Sequence, residues 1–196
     1  MTSVPEDPSP SPSPSPSPWL VVIDMQTIFG DASSPWCAAG FDEIVPRIVE
    51  LVEHFGQRVV FTRYLAPSAP SGSWIAYFQQ WPFALRPHTD PLFDLVEPFA
   101  GLVHHLEDRE SFGKWDASMS ELIGSGGEIY VVGVATECCV LMTVLAAADD
   151  GTTVHVVVDA CAGGTTDSHR AALEIMALCG PQVTLTSSEA VLLGTG

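Results

Sequence analysis

"EIYVVGVATECCVLMTVLAAADDGTTVHVVVDA", residues 128–160, places a helical stretch between two apolar runs. The runs "EIYVVGVA" and "TVHVVVDA" are valine-rich and nearly continuous rather than alternating, as expected of strands covered on both faces. Between them, "TECCVLMTVLAAADDG" starts at a capping-type residue, Thr136, and stops at Gly151. Strand, helix and strand in that succession form a β-α-β unit, the crossover that parallel neighbours require.

The same alternation continues in both directions. "WLVVID" (19–24) is a buried strand ending in an acid, and "RVVFT" (58–62) is the next strand. "FDEIVPRIVELVEHFG" (41–56) carries apolar residues at helical spacing and closes on a glycine. An aromatic, proline-rich stretch from about 64 to 100 includes a short helix around "SWIAYFQQW". "LVHHL" (102–106) is a weaker strand, "ASMSELIG" (117–124) a helix, "DSHRAALEIMALCG" (167–180) a helix and "QVTLTS" (182–187) the last strand. Six strands alternating with helices predict an α/β fold in three layers, α-β-α, around a mostly parallel sheet. Such sheets bind ligands outside the carboxyl ends of their strands. Attention therefore falls on Asp24, the loops after Thr62 and Leu106, the pair Cys138–Cys139, and Asp159.

Residues 1–18 are a Ser-Pro repeat with little to bury, expected to be a solvated, polyproline-like tail preceding one domain over 19–196. The chain carries 24 acidic and 7 basic residues, a net charge of −17. A surface of that sign repels nucleic acid and anionic membranes, so neither is expected as a partner. No basic segment followed by an apolar core opens the chain, and five cysteines in no framework spacing suit reduced thiols, so a cytoplasmic setting is expected.

An acid at the end of the most hydrophobic strand, Asp24, needs a partner or a raised pKa; alone it could equally be a cap. In the first turn of the helix at 136, a thiolate is stabilised by unpaired N–H groups, which can also hold an oxyanion. Cysteines there could instead simply pack. In an α-helix Cys138 and Cys139 lie about 100° apart, so only one should face a given pocket. Adjacent cysteines disfavour a disulfide, and no histidine is spaced with them as for zinc. His104 and His105 are strand neighbours that cannot chelate one ion. Lys114 is the only lysine in the chain; it and Arg109 follow the third strand. No G-x-G-x-x-G follows the first strand, which demotes a dinucleotide-binding module.

Taken together, "VVIDMQTIF", "FTR", "GVATECCVLMTVLAAADDG" and "VVVDACAG…HRAAL" resemble the isochorismatase-like cysteine hydrolase superfamily over essentially 19–196. The resemblance implies a Rossmann-like strand order 3-2-1-4-5-6 and an Asp–Lys–Cys triad. The Asp of "D-x-Q" is Asp24, and the nucleophile of "T-[DE]-x-C-V" is Cys139, with Cys138 at the variable position. It also implies a cis peptide between Val134 and Ala135 that turns N–H groups toward the substrate oxygen. The family lysine stands in "K-x-x-x-S-A-F"; counted back from Trp115 the position is Arg109, with Lys114 nearby, so either could be the cation. Nicotinamidases of the superfamily carry an Asp and histidines after the second strand. Here that segment is "FTRYLAPSAPSGSW", so no metal and no cofactor is expected.

The implied activity is hydrolysis of a small amide or ureido substrate through a thioester. Phe29, Trp36, Trp74 and Trp81 are candidates for an aromatic pocket wall, or for core. Two alternatives stand beside it: cofactor-free vinyl-ether hydrolysis, and an inactive binding module of the same fold. A homo-oligomer, dimer or tetramer, is expected.

Overall fold

The computed structural model describes residues 17–195. The predicted tail lies outside the described residues but for its last two positions. Six strands form one sheet: β1 (Trp19–Ile23), β2 (Val59–Tyr64), β3 (His105–Arg109), β4 (Glu128–Val134), β5 (Thr153–Ala162) and β6 (Val183–Thr186). Their order is β3-β2-β1-β4-β5-β6 and every pairing is parallel. The helices are α1 (Thr27–Gly30), α2 (Phe41–Phe55), α3 (Trp74–Gln80), α4 (Ala117–Ile123), α5 (Leu141–Asp149), α6 (Thr166–Ala177) and α7 (Ser188–Leu192). No helix among the described residues is long and apolar enough to cross a membrane.

Alternation along the central strands divides the core. Leu20, Val22, Phe61 and Val132 pack on one side with α2, α7 and the aromatic segment between β2 and β3. Val21, Ile23, Val60 and Val131 pack on the other with α4, α5 and α6. Each central strand is therefore apolar on both faces, which is why its sequence shows no alternation. Where β1 meets β4, Ile23 pairs with Gly133. Gly133 has φ 109°, and a Cβ there would overlap the Ile23 carbonyl oxygen, so only glycine fits.

Two expected elements move. The third strand is His105–Arg109, not 102–106, because a 3₁₀ turn occupies Phe99–Gly101 and pairing with β2 starts at Val60–His105. At the sheet edge "HLEDR" has a single apolar residue, Leu106, and the apolar residues just before it misplace the start. Asp159 lies inside the ten-residue β5, and its carboxylate accepts from the Ser188 N–H (2.8 Å) and hydroxyl (2.6 Å). It ties α7 to the sheet.

Candidate functional site

β1 and β4 diverge in connection direction at the centre of the sheet, so the crevice opens beyond their carboxyl ends. Asp24 follows β1 directly, fully buried and in the left-handed region at φ 51°, a conformation aspartate tolerates better than most residues. The Thr62 hydroxyl, from β2 alongside, donates to Asp24 Oδ1 at 2.8 Å and accepts from the Asp24 N–H at 3.3 Å. Lys114 brings its Nζ to 3.0 Å from Oδ2, and neither side chain is exposed. That approach lies outside hydrogen-bonding angles, so Oδ2 keeps an unused acceptor position. Lys114 Nζ donates to the Ser111 carbonyl at 2.9 Å and stands 5.5 Å from the centre of the Tyr64 ring.

The two candidate cations have different partners. Arg109 points away and bridges Glu107 and Asp116, both at 2.9 Å. Asp116 in turn accepts from the Met119 N–H and caps α4. A signal for Lys114 was present: Ser118 stands four residues after it, as in "K-x-x-x-S", whereas counting from Trp115 shifts the frame by five.

The segment Thr136–Val140 is not the start of an α-helix but a π-helical turn, continued by α5. The Ala135 carbonyl accepts from both Cys138 N–H (3.0 Å) and Val140 N–H (3.2 Å), and the Cys139 N–H between them does not use it. Thr136 does not cap the turn; its hydroxyl pairs with His169 Nδ1 at 2.8 Å. Glu137 Oε1 accepts from Gly164 N–H at 2.8 Å. The wider turn rotates successive side chains by less than an α-helix does. As a result Cys138 and Cys139 line the same cavity, against the expectation that one would be excluded. The two differ in depth: Cys139 is 3 % exposed, Cys138 half-buried.

Depth also overturns the expected low pKa at Cys139. Its hydrogen bond to Cys138, its burial and the Asp24 charge push the Cys139 thiol well up, with Lys114 opposing. The same hydrogen bond pulls Cys138 down, against burial. A buried thiol close to the Asp24 charge holds its proton at rest. Thr143 joins the parts: its hydroxyl donates to the Cys139 carbonyl (2.6 Å) and accepts from the Lys114 N–H (2.9 Å). Thr62 and Thr143 were not singled out in the sequence, since a buried threonine carries no pattern of its own. The Val134–Ala135 peptide is cis.

Above the cysteines lies a cavity of about 390 Å³. Phe29, Trp36 and Trp81 line it as expected, joined by Tyr64, Tyr77 and Phe112. Trp74 does not. It stands behind the wall, 5.2 Å from Tyr77 and 5.0 Å from Phe112 between ring centres, because α3 turns Tyr77 rather than Trp74 inward. After β2 the chain continues with Leu65 and Ala66, which carry no metal-ligating side chain, and His88 Nε2 bonds the Ala66 carbonyl at 2.7 Å. Among the described residues no three His, Cys, Asp or Glu side chains converge on one point, so these residues do not fit a metal.

Solved structures share the fold. PnC1 from L. infantum, in complex with nicotinate, superposes with a TM-score of 0.75 at 19 % identity, over 89 % of this chain and 94 % of its own. An isochorismatase-like hydrolase from Alkaliphilus metalliredigens gives 0.73 at 16 %, over 90 % and 98 %. The zinc complex of Pyrococcus horikoshii pyrazinamidase gives 0.69 at 24 %, over 88 % and 99 %. No curated protein matches the chain significantly. A family model, the Isochorismatase domain, matches residues 18–188, which include Asp24, Lys114 and the Cys138–Cys139 turn; the chain belongs to the isochorismatase family.

Proposed function

We propose that the protein is a cysteine-nucleophile hydrolase of small amides or ureido compounds. The observation that carries this reading is the buried Asp24–Lys114 pair, 3.0 Å apart, whose two charges both act on Cys139, a buried residue of the cavity wall. Asp24 Oδ2 has a free acceptor position, and Lys114 holds the carboxylate in place. Asp24 takes the Cys139 proton as the sulfur adds to the substrate carbonyl, so a thiolate need not exist at rest. The Cys139 and Ala135 N–H groups receive the oxyanion. The C–N bond then breaks, Asp24 protonates the departing nitrogen, and a thioester remains on Cys139. Water, losing its proton to Asp24, releases the acid and restores the thiol. The pyrazinamidase and nicotinate-bound neighbours support an amide-type substrate in this fold.

A screen of small amides and ureido compounds for ammonia release tests the reading, with intact-mass detection of the acylated protein. The expected result is ammonia release with the adduct mapped to Cys139. Absence of ammonia throughout the panel, or an adduct elsewhere, would overturn it.

Activity is expected to survive exhaustive dialysis against EDTA, because the loop after β2 offers no ligand set. Loss on dialysis with recovery on adding zinc or iron would contradict this.

A further inference from the structure

Five cysteines stand in the chain, and the chemistry above uses only Cys139. Cys138 lines the same cavity and is the more accessible of the two, half-buried where Cys139 is 3 % exposed. The Cys139 thiol donates to the Cys138 sulfur. That bond pulls the Cys138 thiol down, with the Lys114 charge in support and with burial, Glu137 and Asp24 opposing. Cys37 and Cys179, also half-buried, are placed the other way round. Cys37 Sγ donates to the Gly30 and Ala38 carbonyls at 3.9 and 3.8 Å, and Cys179 Sγ to the Ile175 carbonyl at 3.9 Å. Donating favours the thiol, whereas accepting favours the thiolate, which is the form that attacks.

We propose that Cys138 is a modification site: it captures small uncharged disulfides, and the adduct closes the cavity above Cys139. The Cys138 thiolate attacks one sulfur of R–S–S–R, and a bond between Cys138 and that sulfur forms as the S–S bond breaks. The other half leaves as R–S⁻ with the electron pair and takes a proton from water. The protein sulfur is oxidised and the departing half is reduced. The adduct persists because the neighbouring thiol does not displace it. Cys139 holds its proton at rest, and adjacent Cα atoms stand about 3.8 Å apart, closer than disulfide geometry accepts. A cavity of about 390 Å³ has room for a short thiol remnant. Glu137 in its lining and the net charge of −17 disfavour an anionic disulfide, which sets the class as uncharged. Cys138 has this reactivity whether or not Cys139 acts as a nucleophile.

The full chain is treated with hydroxyethyl disulfide at neutral pH, quenched with acid at timed intervals and mapped by peptide mass spectrometry, with fragmentation to separate Cys138 from Cys139. Cys138 is expected to take the adduct at least about tenfold faster than Cys37, Cys139 or Cys179. Glutathione disulfide, which is anionic, should react at least about tenfold more slowly than the neutral probe. Cys138→Ser should remove the fast adduct, and dithiothreitol should release it from the unmodified sequence. A crystal structure of the treated protein should show the hydroxyethylthio group inside the cavity, over Cys139. A fast adduct on another cysteine, a Cys138–Cys139 disulfide, or no adduct at all would overturn the assignment. So would a fast adduct that survives Cys138→Ser, equal rates for the two disulfides, or a hydroxyethylthio group directed out of the cavity. Acylation of Cys139 by an amide is measured separately, so failure here leaves the hydrolase reading standing on its own test.

Discussion

Cys139→Ser is expected to lower kcat on an amide substrate at least about a thousandfold, whereas Cys138→Ser keeps it within about tenfold. Both sulfurs line the cavity, so orientation alone does not separate them. Depth and company do. Cys139 is buried, its carbonyl is held by Thr143, and Thr143 also receives the Lys114 N–H, so its position is tied to the Asp24–Lys114 pair. A serine hydroxyl holds its proton far more tightly than a thiol, and one carboxylate is too weak a base to remove it. Serine at 138 takes little from the packing of a half-buried site. Steady-state rates, with circular dichroism to verify folding, check the pair. Equal losses in two folded variants would defeat a single nucleophile. Full activity in Cys139→Ser would favour the vinyl-ether alternative.

Removing Lys114 is expected to cost both stability and activity. Lys114→Ala leaves Asp24 buried beside no countercharge, and breaking such a pair typically costs about 3–5 kcal/mol. The Thr62 hydroxyl remains as the carboxylate's partner and limits the loss to the lower part of that range. Asp24→Asn with Lys114→Met removes both charges at similar volume, so the double variant should be more stable than Lys114→Ala while still inactive. Arg109→Ala is the control. Its ion pairs with Glu107 and Asp116 are partly exposed, and its loss should cost about 1 kcal/mol or less and leave kcat within a few-fold. Urea midpoints and initial rates read all three. Retained activity in Lys114→Ala, or an inactive but stable Arg109→Ala, would return the cation role to Arg109.

The β-α-β units, the parallel sheet and the place of Asp24 and the Cys pair at strand ends were all legible in the sequence. They depend on local information: continuous apolar runs for strands covered twice, and unusual polar residues at their ends. The resemblance added the strand order and the choice of Cys139 over Cys138. What the chain alone did not reveal depends on distance across space. Lys114 and Arg109 are close in sequence but diverge, because one points into the sheet's crevice and the other along its edge. Trp74 and Tyr77 share a helix, and only its docking shows that Tyr77 faces the cavity. The backbone of Thr136–Val140 winds more widely than α-helical spacing predicts, which brings both thiols to one pocket. Thr62, Thr143 and Tyr64 meet partners 38, 29 and 38 residues away, pairings that no periodicity records. Local chemistry determined which elements form, and their packing decided which side chains meet.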